Sequence, residues 1–205
     1  MRLDLANDIL QLTAEHLMLA GSSMLVAILI GVPLGILLTR RPSARRWTLG
    51  LASVMQTIPS LALFGFLIPI PLIGGIGQRT VIVSLVLYAL LPILRNTFVG
   101  ITSVDPAVCE SAVAMGMTDG QLLRQVQLPL AARTIMAGIR VATVASIGTA
   151  TIAAAIGGGG LGVFIFRGVA SVDTTQILAG AIPSAALALF ADWGLGWVER
   201  KLSPA

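Results

Sequence analysis

Long apolar stretches separated by short polar segments dominate the sequence. Five of these stretches are long enough to cross a bilayer, which requires about 20 consecutive apolar residues. We therefore predict an all-α integral membrane protein whose membrane domain covers residues 16–199. The predicted membrane-spanning helices lie near residues 17–38, 49–70, 81–99, 135–156 and 177–198.

The segment before the first span has a different pattern. Residues 1–15 are amphipathic and include Asp4, Asp8 and Glu15. A secretory signal peptide would instead have a basic start followed directly by an apolar run. We interpret residues 1–15 as an N-terminal helix that lies in the membrane interface.

The positions of the basic residues predict the orientation of the chain. Most of the 13 basic residues follow the first span, flank the connection after the third span, or follow the fifth span. Basic residues collect on the cytoplasmic side of a membrane. We expect a multi-pass protein of the bacterial cytoplasmic (inner) membrane with its N-terminus outside and its C-terminus in the cytoplasm.

The composition excludes several classes of function. The chain is 56% hydrophobic and 11% charged, with a mean hydropathy of +0.94, whereas soluble domains carry about 25% charged residues. The net charge of +4 comes from residues placed between apolar runs, so we predict no nucleic-acid partner. Because Cys109 and His16 are the only residues of their types, we predict no metal site and no catalytic residues.

The connection between the third and fourth spans is polar and contains helix signals. Asp105 caps a helix that begins with a proline, and Gly116 ends it. Thr118 and Gln121 have the spacing of a capping box that opens a second short helix. Pro129 is expected to end that second helix. These signals predict two short helices on the cytoplasmic side.

Two sets of residues are candidates for lining a transport pathway. The most polar patch within a span precedes and follows a proline, and polar groups at membrane depth need partners or water. The second set belongs to a ridge of small residues in the fourth span, for which packing inside the subunit is favoured over lining a pathway. The candidates are Gln56, Thr57, Pro59 and Ser60 in the first set, and Ser146 and Ala150 in the second.

The polar connection resembles the EAA loop of ABC importer permeases. That motif reads Glu-Ala-Ala, three residues, Gly, nine residues, Ile, one residue, Leu-Pro. This chain has Glu110-Ser111-Ala112, three residues, Gly116, nine residues, Val126, one residue, Leu128-Pro129, with conservative departures at Ser111 and Val126. Five spans with this loop between the third and fourth are similar to the type I importer core of methionine-importer permeases.

A finer resemblance concerns the transported solute. The stretches 56–63 (QTIPSLAL) and 91–97 (LPILRNT) are similar to the permease branch that imports the osmoprotectants glycine betaine, carnitine and choline. An importer of this type for another small solute, such as ergothioneine or methionine, remains open.

The resemblance implies a permease subunit that is not itself an enzyme. The chain has no GxxxxGK[ST] motif and so lacks a P-loop for ATP; we expect no cofactor on it. The implied partners are a separate ATP-binding cassette ATPase that uses ATP-Mg, an extracellular or periplasmic substrate-binding protein, and a second permease copy or paralogue. The implied coupling segment is 105–130, with Glu110, Ser111, Ala112, Gly116, Gln121, Arg124, Leu128 and Pro129.

The competing interpretation is a stand-alone secondary transporter or channel. Such a protein would be expected to have internal repeats or carboxylates within the membrane that couple transport to an ion. The sequence shows neither feature, which favours the importer subunit.

Overall fold

The computed structural model describes residues 2–71 and 73–202. This part of the chain folds into helices and contains no strand. A π-helical turn at Leu122–Gln127 joins α6 to α7, and a 3₁₀ segment at Thr151–Ile156 continues α7. The helices are α1 Arg2–Thr39, α2 Pro42–Thr57, α3 Ser60–Leu67, α4 Gln78–Thr102, α5 Pro106–Ala114, α6 Asp119–Gln121, α7 Leu128–Ala150, α8 Gly162–Ser171 and α9 Thr174–Lys201.

Among the described residues, four helical stretches are long and apolar enough to cross a membrane. They are Ala6–Thr39, Gln78–Thr102, Asp119–Ile156 and Thr174–Lys201. The pair α2 and α3 passes the same test together, but the two helices meet at an angle of 106°. The described residues therefore contain four candidate spans, or five if this bent pair counts as one.

Helix α4 lies between α1 and α7 and forms the centre of the bundle. Gly31 and Gly35, a GxxxG pair on α1, let its backbone approach α4 closely. A Cβ atom on Gly31 would lie 2.7 Å from Cγ2 of Ile93, and one on Gly35 would lie 2.7 Å from Cβ of Thr97. The small residues in the first span are therefore packing residues.

Helix α7 approaches the other side of α4 in the same way. A Cβ atom on Gly138 would lie 2.5 Å from Cβ of Asn96 and 2.8 Å from the carbonyl oxygen of Pro92. Buried side chains from all three helices fill the space between them, including Ala27 of α1, Ile93 of α4 and Ala142 of α7. The three helices thus form one closely packed core.

The N-terminal segment differs from the predicted interfacial helix. Within the described residues it is the first part of α1, which runs without a break to Thr39. No proline or glycine interrupts the segment before Gly21. His16 is buried and its Nε2 donates to the carbonyl of Ile147 over 3.0 Å, while Glu15 accepts from the amide of Gly160 over 3.1 Å. These bonds hold α1 at Glu15 and His16 against the fourth span and the glycine-rich segment that follows it.

The second predicted span, 49–70, is two helices rather than one. Helix α2 ends at Thr57, Ile58 is extended with φ −72° and ψ 126°, and α3 begins at Ser60. The cause is Pro59, because its ring disfavours the helical conformation for the preceding residue and it has no N–H to donate.

The prediction that Pro129 ends a separate short helix is wrong. Helix α6, the π turn and α7 form one continuous stretch from Asp119 to Ile156. The π turn places the N–H of Leu128 on the carbonyl of Leu123. This wider turn shifts the carbonyl groups that the ring of Pro129 would otherwise meet, so the helix continues through the proline.

We predict that Gly138→Ala lowers the free energy of unfolding by about 1–3 kcal/mol, because the methyl group enters a packed contact. The matched control is Gly148→Ala on the same helix, where a Cβ atom meets nothing within 4 Å. The control should be neutral or stabilising by up to about 1 kcal/mol. Thermal unfolding in detergent, followed by circular dichroism, measures both. Equal stability of the two variants would contradict the close packing of α4 and α7.

Candidate functional site

The polar segment, residues 105–130, begins with a capped helix. The carboxylate of Asp105 accepts a hydrogen bond of 2.9 Å from the amide of Ala107, and Pro106 occupies the first helical position. Both features satisfy or remove backbone donors that the first helical turn leaves free. The predicted start of the first short helix is confirmed.

Gly116 forms the turn between α5 and α6. Its φ is +87°, which side chains other than glycine adopt only with strain. The amide of Met117 returns to the carbonyl of Ala112 over 3.2 Å. Thr118 and Gln121 then form the predicted capping box, in which the Thr118 amide donates to Oε1 of Gln121 over 2.8 Å.

Two contacts hold the polar segment to the rest of the protein. The guanidinium of Arg40, at the end of α1, donates to the carbonyl of Asp119 over 3.2 Å and lies 3.7 Å from its carboxylate. The amide of Gln127 lies 3.9 Å from Sγ of Cys109, which ties the π turn to α5. Through Arg40, the start of α6 is linked to the first span.

Most of the coupling residues implied by the sequence lie on the surface of this segment. Ala112 is buried and packs α5 against the π turn, and Leu128 is half-buried. The carboxylate of Glu110 makes no hydrogen bond or ion pair with any described residue. The exposed members of the set are Glu110, Ser111, Gly116, Gln121, Arg124 and Pro129.

Apolar side chains surround these exposed polar groups. A groove of about 340 Å³ runs between α5 and the π turn. Met115 at its edge is 75% exposed. Its lining residues are Ala107, Val108, Ser111, Ala112, Met115, Met117 and Val126. Exposed apolar surface bordered by polar residues is typical of a protein-binding site.

The polar patch in the second span lies at the break between α2 and α3. Pro92 in α4 has no N–H, so the carbonyl of Tyr88 lacks its helical donor. The amide of Gln56 supplies one over 2.9 Å. In return, the hydroxyl of Tyr88 donates to the carbonyl of Ile58, which the break leaves outside both helices. The broken second span and α4, which continues through Pro92, therefore complete each other's hydrogen bonding.

The remaining pathway candidates fall into two groups. Thr57 and Pro59 are exposed at the break, and Ser60 is half-buried there. Ser146 and Ala150 are 2% and 0% exposed, inside the packed helices. Ser146 donates to Sδ of Met24 over 3.5 Å, and Ala150 packs on α1 and α4. Ser146 and Ala150 therefore pack inside the subunit and do not line an open pathway in this structure.

An ion cluster between α7 and α9 was not predicted. Arg140 donates to both carboxylate oxygens of Asp192, over 2.6 and 2.7 Å, and to Glu199 over 3.2 Å. Gly196 lies between the two acids on α9, and a Cβ atom there would be 3.1 Å from Cζ of Arg140. Two acids seven residues apart, with a glycine between them, are the signal that could have indicated this cluster.

Comparison with known proteins identifies the family. The family model described as "Binding-protein-dependent transport system inner membrane component" matches residues 31–204. The chain belongs to this family. It is therefore a multi-pass inner-membrane permease component, which decides against a stand-alone secondary transporter or channel.

Two relatives of this chain are named as permease proteins of solute transport systems. The carnitine transport permease protein OpuCD of Listeria monocytogenes is 48% identical over 93% of this chain and 84% of its own length. The glycine betaine/carnitine/choline transport system permease protein OpuCD of Bacillus subtilis is 48% identical over 96% of this chain and 85% of its own length.

A solved structure confirms the predicted fold class. A chain of the MetNI methionine ABC transporter, in an inward-facing conformation, superposes with a TM-score of 0.85. The superposition covers 98% of this chain and 96% of that chain at 22% identity. The permease has the fold of the type I importer core.

We predict that Gln56→Leu and Tyr88→Phe each lower the free energy of unfolding by about 1–3 kcal/mol, because each leaves a backbone carbonyl without a donor. The matched control is Thr57→Val, since the Thr57 hydroxyl bonds only within its own helix, to Val54. Thermal unfolding in detergent measures the effect. Wild-type stability of both variants would show that these bonds do not hold the break against α4.

Proposed function

We propose that this chain is the membrane permease of an ABC importer for quaternary-amine osmoprotectants such as glycine betaine, choline and carnitine. In this proposal a separate ATPase subunit hydrolyses ATP-Mg, and a binding protein outside the membrane delivers the solute. The main observation behind this proposal is that the chain has an exposed polar segment with capped helices but no P-loop of its own.

The structure of the polar segment supports a role in coupling to the ATPase. The carboxylate of Glu110 is exposed and has no partner among the described residues, and it lies beside the apolar groove lined in part by Met115. Caps at Asp105 and Thr118 fix both helix starts, so the segment does not need to be ordered when a partner binds. The continuous helix from Asp119 to Ile156 would carry movement from that partner into the membrane.

The distribution of aromatic residues supports a division of labour in solute recognition. Proteins hold quaternary ammonium groups in aromatic cages. The chain is only 5% aromatic, Tyr88 is its only tyrosine, and its three tryptophans lie near the ends of the predicted spans. A high-affinity cage therefore belongs on the binding protein, and the permease supplies a weak polar passage near Gln56, Thr57, Pro59 and Ser60.

The positions of charged residues support the proposed orientation. Three basic residues lie on the same side of the helix bundle as the polar segment, at a helix end on that side or in contact with one. They are Arg40, Arg133 and Lys201. Placing that side in the cytoplasm follows the positive-inside rule and puts the polar segment where an ATPase is found.

A second permease copy or a paralogue would complete the passage.

We predict that Gly116→Val lowers uptake about tenfold or more, because a β-branched residue at positive φ adds roughly 1–2 kcal/mol of strain to the turn. The matched control is Gly120→Val in the same segment, since Gly120 does not have a positive φ and a Cβ atom there meets nothing within 4 Å. Uptake into vesicles is measured at equal amounts of permease in the membrane. Wild-type uptake by Gly116→Val would refute the coupling role of this turn.

The solute is tested with the assembled importer. We expect glycine betaine, choline or carnitine to bind the cognate binding protein and to be taken up by liposomes that contain the permease, the ATPase and ATP. Ergothioneine and methionine are the comparison solutes. Uptake of only these two would overturn the osmoprotectant assignment while leaving the importer intact. Transport by the permease alone, without ATPase, would overturn the importer.

A further inference from the structure

A large groove lies on the exposed surface of α2, N-terminal to the break at Pro59. Its volume is about 630 Å³, within the range of about 300–1,000 Å³ found for ligand sites. Gly50 opens it, because a Cβ atom there would meet nothing within 4 Å. The lining residues are Arg46, Trp47, Gly50, Leu51 and Val54.

The groove has one charged end and one apolar end. Arg46 and Trp47 lie in the first turns of α2, and Leu51 and Val54 lie one to two turns further along the same face. Trp47 is 81% exposed and Leu51 65% exposed. From Arg46 to Val54 the helix rises about 12 Å at 1.5 Å per residue. This is close to the depth of one leaflet of a hydrocarbon core about 30 Å thick.

Arg46 lines the charged end, and Arg40, Arg41 and Arg45 come shortly before it in the chain; two of these four arginines are already engaged. Arg40 holds Asp119, and the guanidinium of Arg45 lies 5.0 Å from the ring centre of Phe98. Arg41 and Arg46 are exposed and contact no acid or ring in the part of the chain that the structure describes. The sequence offers them no nearby acid either, because none occurs between Glu15 and Asp105.

This arrangement fits a molecule that has an anionic head and an apolar tail. Basic residues close to the end of a membrane span attract acidic lipid head groups. A tryptophan beside them is typical of the depth at which head groups meet acyl chains. Leu51, Val54 and the gap at Gly50 then provide a surface for an acyl chain.

We propose that the α2 groove is a binding site for an anionic glycerophospholipid. Arg41 and Arg46 hold the phosphate and its charged head group, and one acyl chain lies over Gly50 between Leu51 and Val54. Two guanidinium groups that contact no acid among the described residues favour an anionic occupant over an apolar protein surface.

Trp47 provides a direct test because it lies in the groove. Trp193→Phe and Trp197→Phe together leave it as the only tryptophan of the full chain. This variant is reconstituted into phosphatidylcholine vesicles that contain brominated phosphatidylglycerol or, in parallel, brominated phosphatidylcholine. We expect stronger quenching of Trp47 by the anionic lipid, and a smaller difference as salt is raised.

The arginines and the groove are tested separately. Arg41→Gln and Arg46→Gln should each lower the preference for the anionic lipid about fivefold. The control Arg200→Gln, an exposed residue at the end of α9, should leave it unchanged. Gly50→Leu should reduce quenching by both lipids, because its side chain fills the space for the acyl chain.

Three results would overturn the proposal. Equal quenching of Trp47 by the two lipids would remove the specificity for anionic head groups. An absence of quenching by either lipid would show that a protein surface, such as a second copy, covers the groove. Unchanged quenching in Gly50→Leu would place the acyl chain elsewhere. Gel filtration of each variant confirms that it is folded before the lipids are compared.

Discussion

The requirement that backbone polar groups find partners inside an apolar environment governs this fold. Unbroken helices meet that requirement by themselves, but Pro59 and Pro92 each lack the N–H that a helix would use. The structure answers with an exchange in which Gln56 donates to the carbonyl of Tyr88 and Tyr88 donates to the carbonyl of Ile58. The bent second span is thereby fixed to the central helix. The polar patch proposed to line the passage is also what satisfies the backbone.

Features encoded by neighbouring residues could be predicted from the sequence. The caps at Asp105 and Thr118 and the turn at Gly116 depend on side chains within a few positions of one another. The long apolar runs likewise indicated the spanning helices. The structure places α4 against the GxxxG pair on α1.

Features that depend on distant partners could not be predicted in the same way. Arg140 and Asp192 are 52 positions apart, and only the packing of α7 on α9 brings them together. His16 gave no sign that it would reach the carbonyl of Ile147. Pro129 was a misleading signal, because the effect of a proline on a helix depends on whether a π turn precedes it. The small residues of the ridge that includes Ser146 indicated that this side of the helix packs, but they did not indicate which helix it contacts.

The continuity of the fourth span has a mechanical consequence. From Asp119 to Ile156 the chain has 38 residues of uninterrupted helix, about 57 Å if the rise were 1.5 Å throughout. A stiff rod of this length acts as a lever, so a small tilt imposed at one end becomes a larger displacement at the other. The π turn at Leu122–Gln127 departs from regular α-helical hydrogen bonding near the end where the load would be applied. Compliance there would absorb misalignment with a partner while the remaining length moves as one piece.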